Sequence, residues 1–297
     1  MIDKLEFFIA LARERHFGRA AEECGVSQPT LSAAIRQLED QLGVMLVSRG
    51  SRFQGLTPEG QRVLEWARRI VADARTMREE MQAARRGLAG HIRLAAIPTA
   101  LAMVHKITEP FQAKHPDVTF EVISRNSFQV LSLLENLEID AGITYLDNEP
   151  LGRVASVPLY AERYHLVTVA GASLSDRETV TWSEAAGLRL CLLTADMQNR
   201  RIINQHMADV GVSISPTLES NSMIVLLSHI STGKWASIMP RNVAEAYGFA
   251  TDIRIIPIVQ PEAQHLVGLV ATYREPNTPL VSALLHEARQ MAELKIF

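Results

Sequence analysis

The sequence predicts an α/β protein with a winged, helical head, a long linking helix and a two-subdomain α/β region. Three observations carry that expectation. Residues 17–38 read as two short helices joined at a glycine, and one apolar stripe runs in steps of four and three from Val63 to Leu88. Beyond Gly90, strand-length apolar runs alternate with helical ones.

The head begins with Leu5, Phe8, Ile9 and Ala12, spaced as the buried side of an amphipathic helix. Phe17, Ala20, Ala21 and Cys24 give a second helix its apolar side, Gly25 supplies turn backbone and Val26 plugs the corner. Leu31, Ile35 and Leu38 then anchor a third helix, with Ser27 as N-cap and Pro29 in its first turn, where a missing N–H costs nothing. What this leaves outside is Ser27, Gln28, Pro29, Thr30, Ser32, Ala33 and Arg36. A positively polarised helix start suits a phosphate, and short polar side chains one turn later suit base edges in a major groove. An ordinary helical hairpin in a core is the alternative that the helix pair alone leaves open.

After Gly43 the period changes. Val44, Leu46 and Val47 read as strand, Gly50 and Gly55 punctuate turns, and no Asp or Glu occurs from Gln41 to Thr57 while Arg49 and Arg52 do. This reads as a wing: a basic hairpin suited to a phosphate backbone or minor groove.

Thr57, Pro58 and Glu59 form a helix start with a capping hydroxyl, a proline and a first-turn carboxylate. Val63, Ala67, Ile70, Ala74, Met77, Met81, Ala84 and Leu88 then form a seam of roughly four heptads between charged flanks. A narrow stripe of this kind calls for a partner helix, and a second copy of the chain is the expected one. A dimer would present two reader helices to two half-sites of a pseudo-palindrome.

From His91 the pattern becomes alternating: strands at 91–97, 118–124, 141–145, 164–170, 188–193, 235–239, 253–258 and 265–272. Helices are expected at 101–114, 130–137, 200–210, 223–231, 243–247 and from 280 onward. Open α/β sheets place ligands where strand ends meet helix starts. The residues at those joints are Thr99 and Ala100, Ser127 and Phe128, Thr144, Thr194, Asn199 and Asn221, a hydroxyl-rich and amide-rich set suited to a small anion such as a carboxylate. Simple helix capping is the competing role for each.

Composition narrows the classes. Of 297 residues, 47% are hydrophobic and 21% charged, an ordinary soluble balance, and the net charge of −3 argues against general nucleic-acid coating. Residues 1–90 carry 14 Lys and Arg against 12 Asp and Glu, an asymmetry of the right sign but small. Two isolated cysteines and nine scattered histidines offer neither a disulfide framework nor a metal site. No catalytic elbow, zinc-binding pair or glycine-rich phosphate loop occurs, so the expectation is a non-enzyme with no cofactor and no metal. The charged amphipathic start is not a signal peptide and no run is long enough for a membrane span, which points to the cytoplasm.

The run Ser27 to Ser32, with Ile35, Leu38, Glu39, Leu42, Gly43, Arg49 and Leu56 to Gly60, resembles the LysR-type transcriptional regulators. Residues 137–143 and 233–240 extend the resemblance more loosely over the whole chain. It implies a winged helix-turn-helix at 1–58, a linker helix at 59–89 for dimerisation and a periplasmic-binding-protein-like effector domain at 90–297. Within that domain, subdomain I spans about 90–161 and 267–297, and subdomain II about 162–266. It further implies a bacterial regulator, usually tetrameric, with double-stranded operator DNA, a small-molecule effector and RNA polymerase as partners. Gln28, Pro29, Ser32 and Arg36 would touch bases or phosphates, with Arg49 or Arg52 on the groove or backbone. Thr99, Ala100, Ser127, Thr144 and Asn221 would surround the effector. Gly50, Ser51 and Gln54 make this wing less basic than the common form. The stretch 193–201, LTADMQNRR, resembles regulators linked to formate dehydrogenase operons, with formate or another small carboxylate as effector. A small-molecule binding protein without DNA function is the alternative.

Overall fold

The computed structural model describes residues 1–49, 53–246, 252–294 and 296–297. The chain divides into two units: Met1–Leu88 with the short segments Glu135–Glu138 and Glu275–Pro279, and the remainder.

The first unit contains α1 (Ile2–Glu14), α2 (Phe17–Glu23), α3 (Gln28–Leu42), β1 (Val47–Arg49), β2 (Phe53–Leu56) and α4 (Pro58–Arg86). Leu5, Phe8 and Ile9 of α1 meet Ala20 and Ala21 of α2 and Leu31, Ile35 and Leu38 of α3 in one core, flanked by Phe17, Cys24 and Val26. Gly25 closes the turn with φ 64° and Gly43 ends α3 with φ 70°, a region that costs other residues strain. The buried Glu39 carboxylate accepts from Leu46 N–H at 2.9 Å and Val47 N–H at 3.3 Å, holding the entry to β1 on α3. Thr57 caps α4 by accepting from Gly60 N–H at 2.9 Å, while its hydroxyl donates to Met45 O at 2.6 Å. The heptad stripe divides on α4. Ala67 joins the core with Leu64, whereas Ile70, Met77 and Met81 are exposed, as is Trp66.

The second unit runs β3 (Gly90–Ala96), α5 (His105–Lys114), β4 (Val118–Ser124), α6 (Ser127–Glu135), β5 (Ala141–Tyr145), β6 (Val154–Val169), β7 (Val180–Thr181), α7 (Trp182–Ala186), β8 (Cys191–Leu193), α8 (Gln198–Asp209), β9 (Leu218–Ser220), α9 (Met223–Ile230), β10 (Ser237–Pro240), α10 (Arg241–Ala246), β11 (Ile253–Val259), β12 (Gln264–Thr272) and α11 (Pro279–Glu293). The strands order as β4-β3-β5-β12-β6-β11-β7, with β10 also on β6, and β8 pairs with β9 apart from that sheet. The first ten residues of β6 pair with β12, and its remainder with β10 and β11, so one strand serves both halves of the sheet.

Several elements differ from expectation for identifiable reasons. The strand expected from Tyr164 begins at Val154: Pro158 pairs with Gly268 beside a bulge whose extra residue is Leu159. The helix expected at 101–114 starts as a separate 3-10 turn at Leu101–Met103 before α5. The helix expected at 130–137 starts earlier, at Ser127, because Asn126 Oδ1 accepts from Gln129 N–H at 2.9 Å, and stops before Leu137, whose φ is 63°. α7 carries a reciprocal cap between Thr181 and Glu184. α10 covers most of the helix expected at 243–247, of which Tyr247 lies outside the described residues.

Candidate functional sites

The face of α3 is as its sequence requires. Ser27, Gln28, Pro29, Thr30, Ala33 and Arg36 are exposed and Ser32 is half-buried, with Leu31, Ile35 and Leu38 turned into the core. Ser27 Oγ accepts from Thr30 N–H at 3.3 Å and lies 2.8 Å from Thr30 Oγ1. Two hydroxyls thus shape the helix start and leave Gln28, Pro29, Ala33 and Arg36 for a ligand. Gln37, exposed one turn after Ala33, extends the same surface and went unnoticed in the sequence. His16 is a second omission: its Nδ1 accepts from Gly18 and Arg19 N–H and caps α2. Arg49 closes β1, paired with Phe53, but its side chain and all of Arg52 lie outside the described residues.

In the second unit, β3, α6, β5 and α8 bring Thr99, Asn126, Ser127, Tyr145, Gln198 and Asn199 around a void of about 10 Å³, room for about one water. Ser127 Oγ is buried at this void with no hydrogen-bond partner, whereas the Thr99 hydroxyl lies with Tyr145 and Glu162 and that of Thr194 with Asp196; Thr144 and Thr194 do not line the void. Capping therefore does not occupy these hydroxyls; Asn126 alone of this group caps α6. Ala100 is buried beside Thr99 but does not line the void. Phe128, 76% exposed, points away from it. Asn221 is exposed and lines an adjoining open cavity of about 600 Å³ that shares Pro98, Asn126 and Met197 with the void.

Three hydrogen bonds and an ion pair surround this void. Asn126 Nδ2 donates to Asp196 Oδ2 at 3.0 Å, Gln198 Nε2 to Asp147 O at 3.1 Å and Asn199 Nδ2 to Tyr145 OH at 3.3 Å. Arg201 pairs with Glu149 at 2.6 Å. α8 starts without a side-chain cap, leaving its first N–H groups facing this region. Arg200 is no ligand group: it is buried against Leu193 O, Asn204 and Glu219.

Behind Tyr145 stands a residue the sequence reading missed. Glu162 is fully buried in β6 and accepts from Tyr145 OH at 2.5 Å. Burial pushes its carboxyl up to about 7, against the opposing pull of the Tyr145 hydrogen bond. The signal was present as period-two alternation, since Tyr160, Glu162 and Tyr164 share one face of the strand. Among the described residues no group of three metal-ligating side chains occurs, and no helix is long and apolar enough to cross a membrane.

Two family models match the chain. Residues 2–61 fit the bacterial regulatory helix-turn-helix protein, lysR family, and residues 85–293 the LysR substrate binding domain. The DNA-binding transcriptional dual regulator OxyR of Escherichia coli K12 is 29% identical, over 95% of this chain and 91% of its own length. The HTH-type transcriptional regulator XapR of the same strain is 34% identical, over 81% of this chain and 82% of its own. Among solved structures, a full-length cysteine-to-aspartate variant of OxyR from Pseudomonas aeruginosa is similar with a TM-score of 0.77 at 25% identity, covering 99% of this chain and 96% of that one.

Proposed function

The chain belongs to the LysR family of DNA-binding transcriptional regulators, and on that premise we propose which residues read DNA and what the effector domain detects. Residues 1–58 form the reader, 59–89 the dimerising linker and 90–297 the effector region, divided into subdomains near 161 and 266. Gln28, Pro29, Ser32, Ala33 and Arg36 contact bases and phosphates, Ser27 and Thr30 set the helix start, and Arg49 and Arg52 follow the backbone. Ile70, Met77 and Met81, exposed on α4, are the surface a second copy covers.

The effector is a small polar molecule, a carboxylate of formate or acetate size. The observation that supports this is the pair of buried hydroxyls of Thr99 and Ser127, the latter unpartnered, which line one void with Gln198 and Asn199 at the uncapped start of α8. The void holds about one water while closed, so binding is coupled to opening and reclosing of the cleft. Likeness of LTADMQNRR to formate-linked regulators points the same way. Occupancy then shifts the closure of the two subdomains, repacks the oligomer and changes how the paired readers bend operator DNA for polymerase, in the cytoplasm.

Relatives at 28–29% identity include hydrogen peroxide-inducible genes activators, but peroxide sensing by thiol chemistry does not suit these residues. Cys191 is fully buried, its thiol pushed up to about 11 by burial, and Cys24 is partly buried in the other unit with its pKa also raised by burial. A reactive thiol needs the opposite environment.

Isothermal titration of formate, acetate and succinate into the full chain tests this reading. Saturable binding of a small carboxylate, lost in Thr99→Val with Ser127→Ala, supports it; no binding by any of the three contradicts it.

A further inference from the structure

Two histidines meet inside the effector unit, and neither lines the void. His206 in the last turn of α8 and His265 at the start of β12 point their Nε2 atoms at each other across 3.1 Å. Both side chains are largely buried, 17% and 12% exposed. Trp182 stacks on the His206 ring with centroids 5.0 Å apart, and Tyr145 and Tyr164 meet the His265 ring edge-on.

The hydrogen bonds fix where the protons sit. Asn148 Nδ2 lies 2.7 Å from His265 Nδ1 and donates to it, so His265 carries its hydrogen on Nε2 and donates across the gap to His206 Nε2. His206 then carries its own on Nδ1, which has no hydrogen-bond partner and lies 4.0 Å from Asp209 Oδ2. One added proton fits. It goes to His265 Nδ1, 3.4 Å from Asp147 Oδ2, as the Asn148 amide turns, and the bridge survives. A second does not fit, because it sets two N–H groups head to head and two cations side by side. The other charged neighbours are committed elsewhere. Glu162, opposite His265 in register, accepts from Tyr145, and Glu184, the single carboxylate of α7, is held by Thr181 and Arg177. Arg201 of α8 pairs with Glu149, and Glu262 before β12 is exposed. Burial and then the charge of His265 lower the proton affinity of His206, against the opposing pull of Asp209.

We infer that the bridge between His206 and His265 is a proton-operated latch, which ties the end of α8 to the start of β12 near neutral pH and releases it on acidification. A proton excluded from the closed form is taken up on opening. The latch therefore holds above the ordinary histidine value of 6.5 and weakens as pH falls below it. The other end of α8 carries Gln198 and Asn199, which line the void and donate to Asp147 O and Tyr145 OH, so a freed α8 loosens the effector cleft. Acidity becomes a second input to the closure equilibrium. That coupling rests on the cleft reading; the latch does not.

The test is hydrogen-exchange mass spectrometry on the full chain at pH 7.5 and pH 5.5, corrected for intrinsic exchange. One excluded proton predicts that protection in α8 falls about tenfold over this range, while β11, which holds no histidine, keeps its protection. His206→Gln and His265→Gln put an amide where a proton would be taken up, and each should remove the pH dependence in α8. Nitrogen-15 spectra of the wild-type side chains at pH 7.5 should show His265 protonated at Nε2 and His206 at Nδ1. Equal protection of α8 at the two pH values, a fall shared by β11, unchanged pH dependence in both variants, or two rings of the same tautomer would overturn the proposal. The wild-type exchange and spectra decide it even where a variant fails to fold. No effector enters either measurement, so failure of the carboxylate reading leaves the latch standing.

Discussion

Gly60→Ala is a one-methyl perturbation with a large expected effect, because the start of α4 packs directly on the backbone before β1. A Cβ at Gly60 would lie 2.0 Å from Leu46 O and 2.9 Å from Leu46 C. Carbon and oxygen in contact stay about 3.3 Å apart, so the helix start must withdraw by more than about 1 Å. That movement breaks two bonds of Thr57, its N–H to Leu46 O at 3.0 Å and its hydroxyl to Met45 O at 2.6 Å. Overpacking costs about 1–3 kcal/mol and each lost hydrogen bond about 0.5–1.5 kcal/mol. A loss of about 3 kcal/mol is expected, or roughly two orders of magnitude in amide exchange protection across α1 to α3. Gly43→Ala is the contrast: φ is 70° there but nothing lies within 4 Å, so only left-handed strain of about 1 kcal/mol applies. Hydrogen-exchange mass spectrometry on both variants decides the matter. Equal protection in Gly60→Ala and wild type, with exchange in β3 to β12 also unchanged, would refute the packing argument.

Other outcomes follow from named groups. Glu162 binds its proton more tightly folded than unfolded, so its contribution to stability falls as pH rises from about 4.5 through about 7, by roughly 3 kcal/mol; Glu162→Gln should flatten that part of the unfolding profile, read by urea titration at several pH values. Met77→Lys with Met81→Lys charges the exposed side of α4, where these residues are 58% and 60% exposed; sedimentation should show dissociation, while the circular dichroism of the single chain stays unchanged. Cys191→Ser should leave DNA affinity insensitive to hydrogen peroxide, as in wild type, and a peroxide response confined to wild type in gel shift would count against the thiol argument.

Much of the head was legible because its physics is local. The caps Ser27 and Thr57, the turn glycines and the 3.6-residue spacing of Leu31, Ile35 and Leu38 each act within a few residues. The roles of Glu39 and Gly60 were not legible, since both depend on where Leu46 comes to rest. In the effector unit the buried hydroxyls of Thr99 and Ser127 were found from strand-to-helix joints, whereas Phe128 sits at such a joint and faces solvent, because neighbours on a helix start point in different directions. The long β6 was hidden by Pro158, tolerated at a bulge that only its partner β12 reveals. With its first half unseen, Glu162 was also out of reach.

The central claim, that the exposed start of α3 reads DNA, is tested most directly by fluorescence anisotropy on a duplex selected by the protein from a random pool. Arg36→Ala should weaken binding about tenfold and lower the dependence of log affinity on log salt by about one, the value of one phosphate contact. Gln28→Ala should narrow the gap between selected and random duplexes by about 1–3 kcal/mol. Unchanged affinity, salt slope and selectivity in both variants would contradict it.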